Sequence, residues 1–571
     1  MGIKLGPRSP FGHPFWSPFS GVGDPSKCLD EWIIIEMSKL IRSKTDWKIK
    51  YKNETIANKW KAELKPQFTS KMIPIDELIE YVFKELAWYE YLEHNFKGLA
   101  DSGFVIGSDD KIVYSDSAIP EDVKTELRSN VESFAKAEFG DKPDYHPGSN
   151  NQVIDLVHPS LYPLQYGITP KIVKQQRNNY WEKEPEEGEV TIAEFSEDIG
   201  KVKTNVEKWA VSEKFQWLPA LFVRKPVYGM YEDDGIQSFE IESYINNLHP
   251  EKYGDLYKSI EKVFNKALPG LNLTLSRLAT GTPKRIQLGY DSFYTKEYQE
   301  KLDKLFEEEE TEDKYDVMEE FEQTRLDYLA TRSIKYTIDH PVNYDFNLLK
   351  SFSQLHVIVK LANIELTPSN PKYNGGSWHV EGTINEDIVA TILYYYDSSN
   401  ITESRLSFRG AFDDPYYEQG DTIGCEAIYG MKDGEHVIKQ IGDIECKEDR
   451  VVVFPNWFQH HVEPFELKDK TKSGHRKILC MFVCDPYNDK VVSTADVPPQ
   501  QKSWWEDSTP MDQISKTNKE KISKTKGDKW PIDLEEIKVV RDELMKERSV
   551  EVLDEDSHDH PFLREFSLCE H

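Results

Sequence analysis

The sequence predicts an α+β protein in which a mostly helical N-terminal region precedes a sheet-rich core, and a single helix follows that core. Three patterns predict this order: helical spacing of apolar residues before residue 140, short β-rich segments after Pro341, and a capped helical pattern near residue 540. The chain has 571 residues, including 13 Trp, 29 Tyr and 27 Phe. Side chains of this size can build a core despite a formal net charge of −30.

The first half of the chain divides into four predicted regions. Residues 1–27, rich in Gly, Pro, Ser and Phe, form an irregular arm. Residues 28–140 are predicted to be helical, with two apolar stripes at helical spacing. Residues 141–296 form a mixed α/β region packing on the core, with strands over 215–223 and 239–248 and a helix over 253–268. Residues 297–340 form an acidic helical insert that includes the run 307–310.

Residues 341–490 contain short β-rich segments separated by Gly, Asp, Asn and Ser, which is typical of a sandwich or a closed sheet. These segments are 356–366, 389–396, 405–408, 426–429, 437–441, 450–454 and 478–483. Residues 491–571 form a C-terminal extension. Within it, Asp533 and Glu536 make a capping box that predicts a helix over 533–548.

Composition excludes several classes of protein. The chain has 71 Lys+Arg against 101 Asp+Glu, which opposes attraction to a phosphate backbone, so nucleic acid is not an expected partner. Six cysteines without a CxxC pair predict neither a disulfide framework nor a zinc ribbon. No apolar run approaches the roughly 20 residues that span a bilayer. With no signal-peptide pattern at the N-terminus, we expect a soluble intracellular protein, cytoplasmic or also nuclear.

The segment GGSWHVEG (375–382) carries the first candidate for chemistry. In a strand, His379 and Glu381 project from the same face, and they supply two thirds of a 2-His-1-carboxylate iron site. Three His-x-Asp/Glu triplets occur in the chain, roughly the number that this composition gives by chance. The residues around each triplet therefore have to decide which triplet is the metal-binding candidate.

That context favours His379 and Glu381. Two β-rich segments, a turn-rich excursion, a distal histidine at 460 or 461 and a strand that begins near Arg476 follow in turn. This is the order of a double-stranded β-helix (jelly-roll or cupin-like) core. His460 shares a strand face with Val462 and is the predicted third ligand, with His461 as the alternative.

Two residues are predicted to bind a co-substrate. Arg476 could hold the distal carboxylate of 2-oxoglutarate through its planar guanidinium, and Tyr394 could hydrogen-bond a bound carboxylate. We expect lesser roles for a further set of residues. Trp378 flanks the first ligand, and Tyr396 is an alternative to Tyr394. Arg405 and Arg409 are expected in surface salt bridges, with a role as substrate anchor as the alternative for Arg409. His146, His158 and His249 are expected to line the access path without being ligands.

Over roughly residues 10–571, the chain resembles the fungal family known as domain of unknown function 4246, and its core resembles the Fe(II)/2-oxoglutarate oxygenase superfamily. The strings that carry the resemblance include HPGS (146–149), DLVHPSLYPLQYG (155–167), GGSWHVEG (375–382), FPNWFQHHVEPF (454–465) and GHRKILCMFVCDP (474–486). The family pattern Gln-His-x-Val-Glu-Pro favours His460. Glu381 replaces the commoner Asp of the superfamily, and Ile478 stands where many of its members carry Ser or Thr.

The sequence therefore predicts a dioxygenase of the hydroxylase type that uses Fe(II) and 2-oxoglutarate. Two alternatives remain open: a non-catalytic protein-interaction module that reuses the barrel, and a cupin-like metalloenzyme that is independent of 2-oxoglutarate. The substrate, whether a small molecule or a peptide, and the oligomeric state are not predicted.

Overall fold

The computed structural model describes residues 9–12, 14, 25–95, 99–173, 189–195, 210–225, 238–280, 285–286, 288, 296–307, 334–336, 347–413, 415, 417, 421–506, 520–522, 530–549 and 566.

The chain is mostly helical up to residue 138. The helices are α1 (Leu29–Arg42), α2 (Trp47–Lys50), α3 (Glu54–Leu64, followed by a 3₁₀ turn at Lys65–Gln67), α4 (Ile75–Asn95), α5 (Leu99–Ser102) and α6 (Glu121–Glu138). Local capping and apolar burial explain them. Asn53 caps α3 by accepting the Ile56 N–H at 3.2 Å, and α1 buries Ile34, Met37 and Ile41 on one face.

The described residues between 105 and 307 form short strands and two further helices. Its elements are β1 (Val105–Ile106), β2 (Val113–Ser115), β3 (Val153–Val157), β4 (Leu164–Gln165), β5 (Pro170–Val173), β6 (Glu189–Ile192), β7 (Phe215–Gln216), β8 (Ala220–Lys225), β9 (Ser238–Ile241), α7 (Gly254–Thr280) and α8 (Lys296–Glu307).

Three predictions in this segment need correction. The strand expected over 215–223 is split into β7 and β8 around Pro219, which cannot donate to a ladder. The strand expected over 239–248 ends at Ile241. The helix expected over 253–268 continues past Pro269 to Thr280, because burial along most of its length outweighs the local cost of proline. Most of the acidic insert, at 308–333, lies outside the described residues.

Strands dominate from residue 354 to residue 484, and the remaining elements complete the described chain. They are α9 (Leu348–Ser351), β10 (Gln354–Leu366), β11 (Lys372–Tyr373), β12 (Ile388–Ser399), β13 (Arg405–Ala411), α10 (Thr422–Tyr429), β14 (Ile438–Glu445), β15 (Val451–Pro455), β16 (Gln459–Val462), β17 (Phe465–Glu466), β18 (Gly474–Cys484), α11 (Lys502–Glu506) and α12 (Leu534–Ser549). The helix expected over 533–548 is thus α12.

The segment 426–429, expected to be β, belongs to helix α10. The Asp421 carboxylate accepts the Gly424 N–H at 2.8 Å, and Gly430 ends the helix in the left-handed conformation at φ 62°. These two caps outweigh the β preference of the Ile-Tyr pair inside the helix.

The strands pair antiparallel in every sheet that the described residues form. The largest sheet has the order β1-β2-β15-β12-β18-β10-β8-β9, and β3 also pairs with β10. A second sheet has the order β14-β13-β16, and three two-stranded pairs join β11 to β17, β4 to β7 and β5 to β6. The molecule is therefore a mixed α/β protein built on antiparallel sheets.

The two faces of the large sheet have different neighbours. Its outer face packs against α6 and α7, as in the contact of Phe222 with Phe264 at 4.8 Å between ring centroids. Its inner face meets the β14-β13-β16 sheet, where Phe454 and Phe408 lie 5.1 Å apart. Within the part of the chain that the structure describes, no helix has both the length and the apolar composition needed to cross a bilayer.

Candidate metal centre

Three predicted ligands come together at one end of the space between the two sheets. One nitrogen from each of His379 and His460 and one oxygen of Glu381 all lie within 4.8 Å of one another. The Glu381 Oε1 atom is 3.6 Å from His379 Nε2 and 3.5 Å from His460 Nε2. Two imidazoles and one carboxylate gathered in this way form a donor set that can hold a divalent transition metal.

The chain around His379 is not the regular strand that the sequence argument assumed. A single antiparallel bridge joins His379 to His460, with His460 N–H donating to the His379 carbonyl at 2.9 Å. Gly375 and Gly382, on either side, adopt φ 93° and 70°, where a side chain would be strained. The side chains of His379 and Glu381 converge because this bridge and two glycine turns fix the segment, and not because of strand periodicity.

Asn456 fixes the main chain of Glu381 and was not anticipated from the sequence. The Glu381 N–H donates to Asn456 Oδ1 at 2.8 Å, and Asn456 Nδ2 donates to the Glu381 carbonyl at 2.8 Å. Nothing in the local sequence distinguishes this asparagine from a turn residue. Its partner, Glu381, lies 75 residues earlier in the chain, so the local sequence does not reveal the contact.

The structure distinguishes the two adjacent histidines. His460 is buried, with its side chain 5% exposed, and it lies 4.8 Å from the Phe454 ring, inside the sheets. His461 points to the other face, where its ring lies 4.0 Å from the Trp378 ring at an interplanar angle of 44°. Arg409, in turn, lies over the Trp378 ring at 4.7 Å. Thus His460 lies in the group with His379 and Glu381, whereas His461 contacts Trp378 outside that group.

Hydrogen bonds and charges set the protonation of the triad. His379 Nδ1 contacts the Ser377 carbonyl at 2.9 Å, which places the proton on Nδ1 and leaves Nε2 free to face Glu381. Burial raises the pKa of Glu381, but the two imidazoles outweigh it and hold that pKa well below its usual range. Burial and the neighbouring His379 lower the pKa of His460. A carboxylate and a neutral imidazole are the forms that bind metals.

Arg476 lies on the inner face of β18 and is 1% exposed. Its Nη1 donates to the Ser404 hydroxyl at 2.8 Å, and its guanidinium lies 5.4 Å from the Tyr395 ring centroid and 5.3 Å from that of Phe465. Among the described residues, the Nε atom of Arg476 has no hydrogen-bond partner. A buried arginine in this state suits an anionic ligand.

The prediction for Tyr394 needs correction. Tyr394 on β12 pairs with Leu479 on β18, three residues after Arg476. Tyr394 and Arg476 therefore point to opposite faces of the sheet. Its electrostatic neighbours, Asp449 and Arg128, belong to the outer side of the sheet. The neighbouring Tyr395 points inward, toward Arg476. Tyr396 is also on the outer side, where its hydroxyl reaches Asn363 at 3.5 Å.

Lys360 is a further inward-facing residue that the sequence analysis missed. It lies opposite Cys480 on β18, on the same face as Arg476. Burial lowers the pKa of Lys360, but the carboxylates of Glu381 and Asp155 help to raise it above its ordinary value. A lysine in the middle of an apolar strand (VIVKLAN, 357–363) was the signal that could have found it.

The histidines expected along the access path separate into two groups. His146 and His158 lie with Asp155 in a second cluster, whose ligand-type atoms are all within 4.8 Å of one another. Burial lowers the pKa of His158 to about 3. His249 belongs to neither cluster and lies 5.0 Å from the Trp504 ring. Arg405 forms ion pairs with Asp443 and Glu403, as expected of a surface arginine.

The fold and this group of residues define a mixed α/β protein, built on antiparallel sheets, with a candidate 2-His-1-carboxylate metal centre. The chain belongs to the family described as "Protein of unknown function (DUF4246)", whose sequence profile matches residues 76–508. The profile of its N-terminal domain, "Domain of unknown function DUF4246, N-terminal", matches residues 2–63. No curated protein matches the sequence.

Solved structures resemble parts of the chain only distantly. IDO from Bacillus thuringiensis is 14% identical over 28% of this chain and 52% of its own, with a TM-score of 0.16. The Fe(II)/(alpha)ketoglutarate-dependent dioxygenase TqaL is 12% identical over 32% of this chain and 60% of its own, with a TM-score of 0.17. A bsmA homolog from Methylobium petroleophilum PM1 is 11% identical over 24% and 45%, with a TM-score of 0.14. The chain thus spans about half the length of these structures, and at such TM-scores the likeness carries no weight for its function.

Proposed function

We propose that the protein is an Fe(II)- and 2-oxoglutarate-dependent oxygenase of the hydroxylase type. The observation that carries this proposal is the gathering of His379, Glu381 and His460 within 4.8 Å. A triad of this composition leaves coordination positions open for a co-substrate and O₂, which is the arrangement of non-haem iron oxygenases. His379 is the most exposed of the three, with 39% of its side chain accessible, so the group is reachable from solvent.

The strand order supports a double-stranded β-helix core. In chain order, the segments β10, His379, β12, β13, β14, β15, β16 and β18 divide between two sheets. The first (β10), third (β12), sixth (β15) and eighth (β18) segments lie side by side in the large sheet. Their spatial order there is β15-β12-β18-β10. The fourth (β13), fifth (β14) and seventh (β16) segments form the other sheet in the spatial order β14-β13-β16. The second segment, at His379, is bridged to β16 and so lies at the edge of that sheet. Seven strands and one bridged segment, shared between two facing sheets in this order, match the eight-strand pattern of jelly-roll and cupin-like proteins.

The residues fit Fe(II). Burial lowers the pKa of His460 and so favours its neutral form, and the Ser377 carbonyl holds the orientation of His379 that directs Nε2 toward Glu381. The bound iron would supply the activation of O₂, one atom of which goes to succinate, with loss of CO₂ from 2-oxoglutarate, and the other to a substrate C–H bond. Glu381 contributes the negative charge of the site, and Asn456 keeps its main chain in place.

Arg476 is the proposed anchor for the distal carboxylate of 2-oxoglutarate. It is buried, it faces the interior between the sheets, and its Nε has no hydrogen-bond partner in the part of the chain that the structure describes. The hydroxyl that many members of the superfamily place beside this arginine is absent at Ile478, but the Ser404 hydroxyl contacts Arg476 at 2.8 Å. Lys360 adds a second positive charge on the same face. Two cations on one inner face favour a dianionic co-substrate.

The direct test adds 2-oxoglutarate to the anaerobic Fe(II) protein. We expect a metal-to-ligand charge-transfer absorption band, and then succinate formation when O₂ is admitted. His379→Ala should abolish both signals. His461→Ala, which changes a histidine outside the ligand group, should retain them. Absence of the band and of succinate from a folded, iron-loaded protein would refute the proposal.

The same experiment separates the alternatives. A cupin-like metalloenzyme would bind iron and show no absorption change with 2-oxoglutarate. A non-catalytic interaction module would give no succinate under any condition.

A further inference from the structure

We propose a second divalent metal site, formed by His146, Asp155 and His158 and separate from the triad at His379. One ligand-type atom from each of the three residues lies within 4.8 Å of the others. The Asp155 carboxylate is 2.8 Å from His146 Nδ1, and the two imidazole rings are 5.1 Å apart. This inference does not depend on the proposed oxygenase activity.

The local fold brings these residues together without help from a ligand. Residues 144–146 pair with 153–155, through the Tyr145–Ile154 bridge and the His146 N–H bond to the Val153 carbonyl at 2.9 Å. The turn between them uses left-handed residues at Gly148, Asn150 and Asn151. His146 therefore comes next to Asp155 on β3, and His158 follows one residue after that strand ends.

The buried Asp155 carboxylate has one oxygen that could still accept a ligand, although His158, His146 and Lys360 offset its charge. Its side chain is 2% exposed, and its Oδ1 atom has no hydrogen-bond partner among the described residues. A buried carboxylate oxygen without a hydrogen bond is costly, and a bound metal ion would satisfy it. Ala362, its cross-strand neighbour on β10, offers no polar atom. His158, 6% exposed, forms the opposite wall of the cluster.

The donor set selects the class of ion. Two imidazole nitrogens and one carboxylate oxygen suit first-row transition ions such as Zn²⁺, Co²⁺ or Fe²⁺, whereas Ca²⁺ and Mg²⁺ prefer oxygen ligands. Three protein ligands leave the remaining coordination positions to water.

Two features make this site weaker than the one at His379. The Ser160 N–H donates to His158 Nδ1 at 3.2 Å, whereas the corresponding nitrogen of His379 faces a carbonyl. Coordination through His158 Nε2 needs a proton on Nδ1, so the contact with Ser160 must be given up when a metal binds. Lys360, which interacts with Asp155, and Arg541, which interacts with His158, are the cations near the cluster, and both oppose a bound dication.

The test is a Co²⁺ titration of the full chain, followed by calorimetry and by the visible absorption of the bound ion. We expect two equivalents of different affinity in the unchanged protein. His379→Ala should remove the tighter equivalent and leave the weaker. His146→Ala and the isosteric Asp155→Asn should each remove the weaker and leave the tighter. His94→Ala, which changes an exposed histidine outside both clusters, should change neither.

The outcomes distinguish the two proposals. A second equivalent that survives in both His146→Ala and Asp155→Asn, or a protein that binds only the equivalent lost in His379→Ala, would overturn the second site. A tighter equivalent that survives in His379→Ala would instead contradict the centre at His379. His146 is partly exposed (28%), so its replacement is readable even if Asp155→Asn fails to fold.

Discussion

The side-chain amide of Asn456 holds the main chain of Glu381 from both sides, with two hydrogen bonds of 2.8 Å. A third bond, from Asn456 Nδ2 to the Ile388 carbonyl at 3.1 Å, ties this arrangement to strand β12. Asn456 is completely buried. The position of the carboxylate ligand is thus set by a residue that offers no ligand atom itself.

Replacement of Asn456 by alanine should weaken metal binding. The Glu381 segment would lose both restraints, and supporting residues of this kind typically change metal affinity about 10- to 100-fold. The unpaired buried groups should also lower the free energy of unfolding by about 2 kcal/mol or more. Calorimetric titration with Co²⁺ and chemical denaturation measure the two effects separately.

Asn400→Ala is the matched control for this prediction. Asn400 also binds main-chain groups through its amide, including the carbonyls of Asp469 and Lys472 at 3.0 and 2.9 Å, but it lies outside the metal group. The Asn400→Ala variant should be less stable than the unchanged protein but should keep its affinity for Co²⁺. Equal losses of affinity in the two variants would mean that Asn456 acts only through general stability.

His460 and His461 should differ sharply when each is changed to alanine. His460 Nε2 is 3.5 Å from Glu381 Oε1, whereas His461 Nδ1 faces the Gly376 carbonyl at 3.4 Å on the other side of β16. We expect His460→Ala to weaken the tighter Co²⁺ equivalent by about 100-fold or more, consistent with loss of one of three protein ligands. His461→Ala should leave it within about threefold. The reverse result would reassign the distal ligand.

The triad could be predicted from the sequence because its residues lie in a recognisable order of strands and turns. His379, Glu381, His460 and Arg476 are all brought to the interior between the sheets. The choice of Tyr394 failed for a physical reason. The first nine residues of β12 are buried, so both of its faces are apolar, and the sequence does not reveal which face meets the site.

Other features depend on contacts between distant parts of the chain. Ser404 reaches Arg476 across 72 residues, and Asn456 reaches Glu381 across 75. Asp155 and His146 come together through a turn whose left-handed residues carry no metal-binding pattern. Such partners are set by tertiary packing, so local patterns of polarity could not predict them.

Arg476 should govern affinity for 2-oxoglutarate if the proposed function holds. Arg476→Lys keeps the charge and loses the planar fork, so we expect KM for 2-oxoglutarate to rise about 10- to 100-fold with a smaller change in kcat. Ser404→Ala removes only the 2.8 Å contact with Nη1 and should have a weaker effect in the same direction. Succinate formation against 2-oxoglutarate concentration measures both. An unchanged KM in Arg476→Lys would exclude this arginine as the anchor.

Asp387 should make the protein less stable as the pH rises. Burial raises the pKa of Asp387 from 3.8 to about 7, the Asp485 carboxylate acts in the same direction, and the Asn488 amide only partly offsets them. Between these two values the folded state holds a proton that the unfolded chain has released. The contribution of Asp387 to the free energy of unfolding therefore falls as the pH rises from about 4 to about 7, and the loss is complete above that range.

Asp387→Asn should remove this dependence. Asparagine can still accept the Asn488 Nδ2–H, which lies 2.8 Å from Asp387 Oδ2, and it tolerates the left-handed backbone at φ 50°. Denaturant unfolding at pH 5 and pH 8 should show a larger gain of the variant over the unchanged protein at pH 8. Asp489→Asn, which changes an exposed aspartate nearby, should show no such difference between the two pH values. A variant whose gain is equal at both would show that Asp387 is already ionised in the folded protein at pH 5, because only a proton held by the folded state links this side chain to pH.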